Sequence, residues 1–96
     1  MIEIRETARY RAWFEDLRDR QAKARINVRI RWLQEGNPGQ HRQLGGGVLE
    51  LKIDYGPGYR LYCTQRGSEL IILLVGGDKS TQSADIALAQ SMAEEI

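Results

Sequence analysis

The sequence predicts one α+β domain over residues 1–96, with two N-terminal helices packed on a small antiparallel sheet in the order β-α-α-β-β-β-α. Apolar residues recur every three or four positions over 7–35 and again near the C-terminus, which is typical of helices. Over 49–64 they recur every second position, which is typical of strands. With 96 residues, 42% of them hydrophobic, the chain has material for a single core.

The first third is predicted to form a short strand and a helical hairpin. Residues 2–6 alternate apolar and charged side chains, and Thr7 is expected to cap the first helix. The apolar positions of that helix share one face: Tyr10, Trp13, Phe14 and Leu17. After a break near 19–22, the second helix has its own stripe: Ala22, Ile26, Ile30 and Leu33. Gly36-Asn-Pro-Gly39 should end it, because glycine suits the position after a helix and proline cannot continue one.

The remainder is predicted to be three strands and a last helix. Residues 40–47 have no periodicity and read as a flexible loop. Strands over 49–55 and 59–64 form a hairpin around Gly56-Pro-Gly58, and the apolar run 70–75 suits a strand covered on both faces. Ser80 or Ser83 is expected to cap the last helix, and all helices are expected to pack on one face of the sheet.

Composition excludes several classes of protein. The single cysteine, Cys63, rules out an intramolecular disulfide framework, and no apolar run approaches the roughly 18 residues of a spanning helix. The start at Met1 shows no secretory signal, so we expect a cytoplasmic protein without membrane attachment. The net charge of +1 hides an asymmetry, since residues 1–32 carry nine Lys/Arg against five acids.

Two polar rows on the predicted hairpin are the first candidates for chemistry. Alternation places Glu50, Lys52 and Asp54 on one side of their strand. It places Arg60, Tyr62 and Thr64 on the matching side of the next strand. Such a face could hold a phosphate between its cations. It could equally be an ordinary solvated sheet face with cross-strand ion pairs, and the residues alone leave both interpretations open.

Two further features, the segment 76–80 and His41, have ordinary structural explanations beside a functional one. The segment 76–80 (Gly-Gly-Asp-Lys-Ser) could hold an anion at a helix start, but it lacks the spacing of a P-loop and also fits a plain turn. His41, the only histidine, is either a solvated loop residue or an acid–base group. No second His or Cys offers metal-ligand spacing, so neither a metal site nor a cofactor is predicted.

Several segments together resemble the RelE/ParE superfamily of type II toxin–antitoxin toxins. They are Leu-Lys-Ile-Asp-Tyr-Gly-Pro-Gly-Tyr-Arg-Leu-Tyr at 51–62, Leu-Leu-Val-Gly-Gly-Asp-Lys-Ser-Thr-Gln at 73–82 and Asp-Ile-Ala at 85–87. The segment 13–19 and the turn at 36–39 agree with them. The likeness covers nearly the whole chain and is closest to the HigB-type "addiction module killer" branch, related to phage-derived proteins.

The resemblance implies an mRNA endoribonuclease that acts without metal in the ribosomal A site, where the 2′-hydroxyl attacks the adjacent phosphate. By motif position it implies three catalytic cations: Arg60, Lys79 and Lys52. It also implies RNA-binding positions: Arg42, Tyr62, Gln82 and Asp85. RelE itself has a C-terminal tyrosine, which this chain lacks after Tyr62, so the general base would be Lys52, Asp85 or Tyr62.

The same resemblance implies partners and two alternatives. The expected partners are the ribosome with its mRNA and a cognate helix-turn-helix antitoxin, with operator DNA bound only through the antitoxin complex. The first alternative is a ParE-like inhibitor of DNA gyrase. The second is a degenerate toxin that only binds its antitoxin.

Overall fold

A computed structural model describes residues 1–96 as an α+β domain of three helices and a five-stranded mixed sheet. The strands are β1 Glu3–Glu6, β2 His41–Gln43, β3 Val48–Ile53, β4 Tyr59–Arg66 and β5 Leu70–Gly77. The helices are α1 Ala8–Asp16, α2 Arg20–Gln34 and α3 Gln82–Glu95. Single 3₁₀ turns lie at Gly45–Gly47 and Lys79–Thr81. None of the helices is long and apolar enough to cross a membrane.

The sheet is not wholly antiparallel, which corrects the prediction. Its strand order is β1-β5-β4-β3-β2, and β1 pairs with β5 in parallel while all other pairs are antiparallel. The backbone N–H of Glu3 donates to the Glu69 carbonyl at 2.7 Å, and the N–H of Thr7 donates to the Leu73 carbonyl at 3.0 Å. The apolar β5 therefore lies between two neighbours, since an exposed edge would leave its backbone groups unpaired.

The segment predicted as a flexible loop contains an extra strand. Residues 41–43 form β2, which pairs with β3 so that Arg42 lies opposite Glu50. All three β2 residues are exposed, because β2 is the outer edge of the sheet. The element order is therefore β-α-α-β-β-β-β-α, one strand more than predicted.

The N-terminal helices follow the prediction closely. The Thr7 hydroxyl accepts from the Tyr10 N–H at 3.0 Å and donates to the Leu74 carbonyl at 2.7 Å, so it caps α1 and joins it to β5. Asp19 caps α2 after a break at 17–19. Ala22, Ile26 and Leu33 of the predicted stripe are buried against the sheet, together with Leu51, Leu61, Cys63 and Leu73.

Helix α3 packs on the opposite face of the sheet, so the expectation that all helices share one face is wrong. Ala89 and Ala93 contact a second buried cluster that contains Val48, Tyr62, Leu74 and Val75. The helix is preceded by Thr81 rather than by Ser80 or Ser83. The polar side of the predicted hairpin is consequently covered: Tyr62 and Thr64 are buried, not solvated.

A bulge in β5 lets its apolar residues pack on both faces of the sheet. Cys63 pairs with Leu73 and Tyr62 with Val75, so Leu74 is an extra residue in β5. Beyond the bulge, a Cβ on Gly76 would overlap the Trp13 ring of α1, and a Cβ on Gly77 would overlap the Asp85 carboxylate of α3. The two glycines thus let a helix approach the end of β5 on each face.

Candidate functional site

A polar cleft opens where β2, β3 and β4 meet the start of α3. Its volume is about 310 Å³, and no hydrophobic residue lines it. The lining residues are Gln40, His41, Arg42, Glu50, Lys52, Arg60 and Gln82. Strand register brings them together, since Arg42 lies opposite Glu50 and Lys52 lies opposite Arg60. Helix α3 completes the cleft because its first residue is Gln82.

Glu50 is the central acceptor of the cleft and is only 5% exposed. Its Oε1 accepts from Arg42 Nε at 3.2 Å, and its Oε2 accepts from Gln82 Nε2 at 2.9 Å. Its Oε2 also lies 3.8 Å from Arg60 Nε, so one carboxylate faces two guanidinium groups. A buried carboxylate with these partners holds side chains from β2, β4 and α3 in place.

Arg60 is 6% exposed and has donors that the protein does not use. Its Nη1 donates to the Gly58 carbonyl at 2.7 Å. Its Nε is buried without a hydrogen-bond partner. Because Nε is shielded from solvent and Nη1 donates to Gly58, Nη2 is the group that remains to bind an anion at the edge of the cleft.

The two lysines of the predicted site lie close to this guanidinium. Lys52 is half-buried, lines the cleft and has no ion-pair partner. Lys79 is exposed on the 3₁₀ turn before α3. A Cβ on Gly58 would lie 3.3 Å from Arg60 Nη1 and 3.8 Å from Lys79 Cβ, which places Lys79 beside Arg60. Both lysines therefore add positive charge that the chain does not neutralise.

Tyr62 and Asp85 lie behind the cleft and do not line it. Tyr62 is fully buried and its hydroxyl has no hydrogen-bond partner. Burial, and then the negative charge of Glu50, raise the pKa of the Tyr62 phenol above its ordinary value. Asp85 Oδ2 accepts from the Thr81 hydroxyl at 2.6 Å, within the first turn of α3.

One wall of the cleft is held by a buried arginine of α2. Arg29 donates to the carbonyls of Lys52, Pro38 (2.9 Å) and Gln40 (2.7 Å). Burial lowers the pKa of its guanidinium from the ordinary value. A Cβ on Gly39 would lie 2.8 Å from Arg29 Nε, so only glycine lets the loop pass this close. The turn after α2 is thereby fixed against the end of β3.

His41 is placed differently from the other lining residues. It pairs with Leu51, whose side chain faces α1 and α2, whereas Arg42 faces Glu50. Its Nδ1 lies 2.7 Å from the Gly39 carbonyl and must donate, because a carbonyl only accepts. Nowhere in the chain do three or more His, Cys, Asp or Glu side chains lie together as possible metal ligands.

Comparison with known proteins identifies the family. Residues 12–94 match the family described as Phage derived protein Gp49-like (DUF891). The chain belongs to the Gp49-like family. This family is toxin-like and related to RelE/ParE, so the match confirms the predicted relationship at that level. An uncharacterized protein of Haemophilus influenzae (strain Rd) is 45% identical over 95 residues, covering 99% of this chain and 96% of that protein.

In this Gp49-like protein the predicted site residues separate by position. The structure brings Arg42, Lys52, Arg60 and Gln82 into one cleft with Lys79 beside it, while Tyr62 and Asp85 lie behind. After residue 32 the chain has only five Lys/Arg, and four of them surround this cleft.

Sequence reasoning did not assign Glu50 a role in the site. It treated Glu50 as one charge of a polar row. The signal that could have found it was its place opposite Tyr62 in the predicted hairpin, one pair away from Lys52 and Arg60.

Proposed function

We propose that this Gp49-like protein is the toxin of a type II toxin–antitoxin pair and cleaves mRNA on the ribosome without a metal ion. The observation that carries the proposal is the cleft itself. Arg42 and Arg60 lie there within 4 Å of one buried carboxylate, Glu50, while Lys52 in the cleft and Lys79 beside it have no ion-pair partner. Such a cleft has a net positive charge and suits a phosphodiester.

The phosphate would bind between Lys52 and Arg60. Side chains directly opposite on antiparallel strands have Cβ atoms about 5 Å apart, which is a suitable separation for two groups that hold one phosphate. The Arg60 guanidinium is fixed by the Gly58 carbonyl and Glu50, so it needs little reorganisation when charge develops. A preorganised donor of this kind contributes a factor of about 10²–10³ to a rate.

The reaction requires one proton acceptor and one proton donor. The 2′-oxygen forms a bond to phosphorus and loses its proton, while the bond from phosphorus to the 5′-oxygen breaks and that oxygen gains a proton. Glu50 is the only carboxylate that lines the cleft, and we assign it as the acceptor. Lys79, exposed beside Arg60, would protonate the leaving oxygen. The products are a 2′,3′-cyclic phosphate and a 5′-hydroxyl end.

A neutralising partner belongs to the same proposal. We expect a helix-turn-helix antitoxin to bind the toxin, and operator DNA to be bound only by the complex of the two. Co-expression should restore growth and yield a stable complex on gel filtration. Growth arrest that persists with the partner in excess would contradict this part of the proposal.

The test of function is cleavage of ribosome-bound mRNA, followed by mapping of the new 5′ ends. Arg60→Lys keeps the charge but loses the planar donor pair, and Arg60→Gln loses both, so we expect rates to fall by about 10-fold and at least about 100-fold. Arg31→Gln, which removes an exposed arginine of α2 outside the cleft, is the matched control and should keep full activity.

Two results would refute the endoribonuclease. One is intact transcripts in cells whose growth has been arrested by the protein. The other is equal cleavage by the parent and Arg60→Gln. Inhibition of purified gyrase in a supercoiling assay, with mRNA intact, would identify a ParE-like toxin. Unchanged growth together with a stable antitoxin complex would identify a degenerate one.

A further inference from the structure

Helix α2 carries an apolar patch that the fold leaves uncovered. Val28 is 39% exposed and Trp32 43% exposed. The other large exposed hydrophobic residues are at the chain ends, Met1 and Ile96. Ala24, Val28 and Trp32 are spaced by four residues and form one stripe beside the buried stripe of the helix. A second apolar stripe on a helix that already packs with its first one is typical of an interaction surface.

The stripe forms one side of a groove of about 480 Å³, which we call the α2 groove. Its lining residues are Ala24, Arg25, Val28, Arg29, Trp32, Gln40, Ile53 and Asp54. Ile53, which is 4% exposed, contributes apolar surface from the end of β3. The groove therefore has an apolar lining with charged residues around it, as in protein-binding sites built around a central anchor.

Contacts within the chain hold two arginines at the sides of the groove. The Arg29 guanidinium is held by three backbone carbonyls and lies 5.9 Å from the Trp32 ring centre. The Arg25 guanidinium lies 4.6 Å from the ring centre of Tyr55. A preformed groove costs less conformational entropy on binding than one that must be ordered.

The charge around the α2 groove selects the kind of partner. Helix α2 contains five Lys/Arg and no acidic residue. Arg20, Arg25 and Arg31 are exposed and make no ion pair within the chain. A partner surface that places carboxylates beside these arginines would match them in charge.

An apolar helix edged with acids fits this groove better than RNA does. Val28 and Ile53 offer no donors to a phosphate, and Arg29 already uses its Nη donors on backbone carbonyls. From Ala24 to Trp32 the stripe is about 12 Å long, which accommodates roughly two turns of a helix.

From these observations we infer that the α2 groove binds an amphipathic, acidic α-helix of a partner protein. Its apolar side chains, spaced by three or four residues, would pack on Val28, Ile53 and Trp32, and its carboxylates would face Arg25 and Arg31. Gln40 lines both the groove and the polar cleft, so the bound helix lies next to the cleft. The identification of this partner as the neutralising antitoxin rests on the proposed function. The groove and its binding chemistry are independent of that proposal.

The test is a selection from a displayed library of 16-residue helices. Every member has apolar residues at i, i+4, i+7 and i+11, and the flanking positions vary among acidic, basic and neutral residues. We expect helices with acidic flanks to be enriched on the parent protein and to bind Trp32→Ser and Val28→Ser at least tenfold more weakly. Asn27→Ser, on an exposed position of α2 that does not line the groove, is the control and should bind like the parent. Arg25→Glu should shift enrichment away from acidic flanks.

Several outcomes would overturn the inference. They are a selection without binders that depend on Val28 or Trp32, enrichment of neutral or basic flanks, and self-association in sedimentation that Trp32→Ser abolishes. A single-stranded RNA that changes the tryptophan fluorescence of the parent but not of Trp32→Ser, and competes with the selected helices, would assign the groove to RNA instead. Binding is scored without reference to toxicity. A parent protein that binds the helices but leaves mRNA intact would therefore refute the proposed function alone.

Discussion

Replacement of Arg29 by methionine should destabilise the protein because this one side chain hydrogen-bonds both the turn after α2 and the end of β3. Its guanidinium donates to the carbonyls of Pro38, Gln40 and Lys52, and its side chain is 8% exposed. Methionine is unbranched and apolar and reaches about as far as Nε of the arginine, so the variant removes the donors while it keeps the packing of the aliphatic part. The perturbation therefore tests the hydrogen bonds more than the packing.

The expected loss of unfolding free energy is about 3 kcal/mol. A hydrogen bond from a charged donor contributes about 1.5–3 kcal/mol, and three of them would total up to about 9 kcal/mol. Water can replace the donor at Pro38 and Gln40, which lie in a surface turn, so only the bond to Lys52 counts in full. Removal of a buried charge returns part of the loss, since burial already disfavours the charged form of Arg29.

A second variant measures the same contact from the other side. Gly39 has φ of +65°, and a Cβ there would lie 2.8 Å from Arg29 Nε. Gly39→Ala should therefore cost about 1–2 kcal/mol for the left-handed backbone, with a further loss from the contact. In Arg29→Ala the contact is absent, so the double variant should be about 1 kcal/mol more stable than additivity predicts.

The assay is urea unfolding followed by far-ultraviolet circular dichroism, with comparison of midpoints at equal slopes. Arg31→Met, on the exposed side of α2, is the control and should stay within about 0.5 kcal/mol of the parent. The reasoning is refuted if Arg29→Met is as stable as this control. Additivity of Arg29→Ala and Gly39→Ala within about 0.3 kcal/mol would refute the close contact.

Three further changes test the packing at the end of β5, the cleft and the core. Gly77→Ala should cost about 2–4 kcal/mol because the methyl group overlaps the Asp85 carboxylate, and Asp85→Ala in the same chain should recover most of it in urea unfolding. Glu50→Gln should bind single-stranded RNA more tightly, since the cleft loses its one negative charge, yet cleave more slowly; weaker RNA binding by filter retention would contradict the assigned electrostatics. Burial raises the pKa of the Cys63 thiol from 9.0 to about 12. Because the folded form holds this proton more tightly than the unfolded form, the contribution is complete below pH of about 9 and is lost as pH rises towards 12. Cys63→Ala should lower the overall stability but weaken this alkaline dependence, and an unchanged pH profile would count against the assignment.

Features that depend on neighbours in sequence were predictable. The cap at Thr7 needs only a hydroxyl followed by helix-forming residues, and the end of α2 needs only a residue that tolerates positive φ, which Gly36 supplies at +89°. The hairpin of β3 and β4 follows from alternation and a short turn. Each of these elements is stabilised within a few residues, so pattern and propensity describe it adequately.

Features that depend on contacts between residues far apart in sequence could not be predicted. Nothing in residues 2–6 indicates that β1 pairs with β5. The two strands are far apart in sequence, and a parallel pair forms only when the segment between them folds and brings them together. The alternating hairpin could show one polar face but not that α3 covers it. Tyr62 was expected to be accessible for that reason, and the structure buries it.

The candidate site shows the same division. Arg60, Lys52 and Lys79 could be selected by residue type and motif position. That Glu50 lies within 4 Å of both Arg42 and Arg60 required β2 to exist and to pair with β3 in one register. A three-residue edge strand has too few positions for a periodic signal, so β2 was predicted to be part of a loop.

Local backbone preferences and apolar periodicity were sufficient to predict the α+β class, the two N-terminal helices, the strand hairpin and the residue types available for phosphate chemistry. Long-range packing set the position of β1, the face on which α3 packs, and the approach of Arg42 and Arg60 to Glu50 with Lys52 and Lys79 nearby. These depend on which apolar surfaces cover one another, and that is a property of the whole chain and not of any segment.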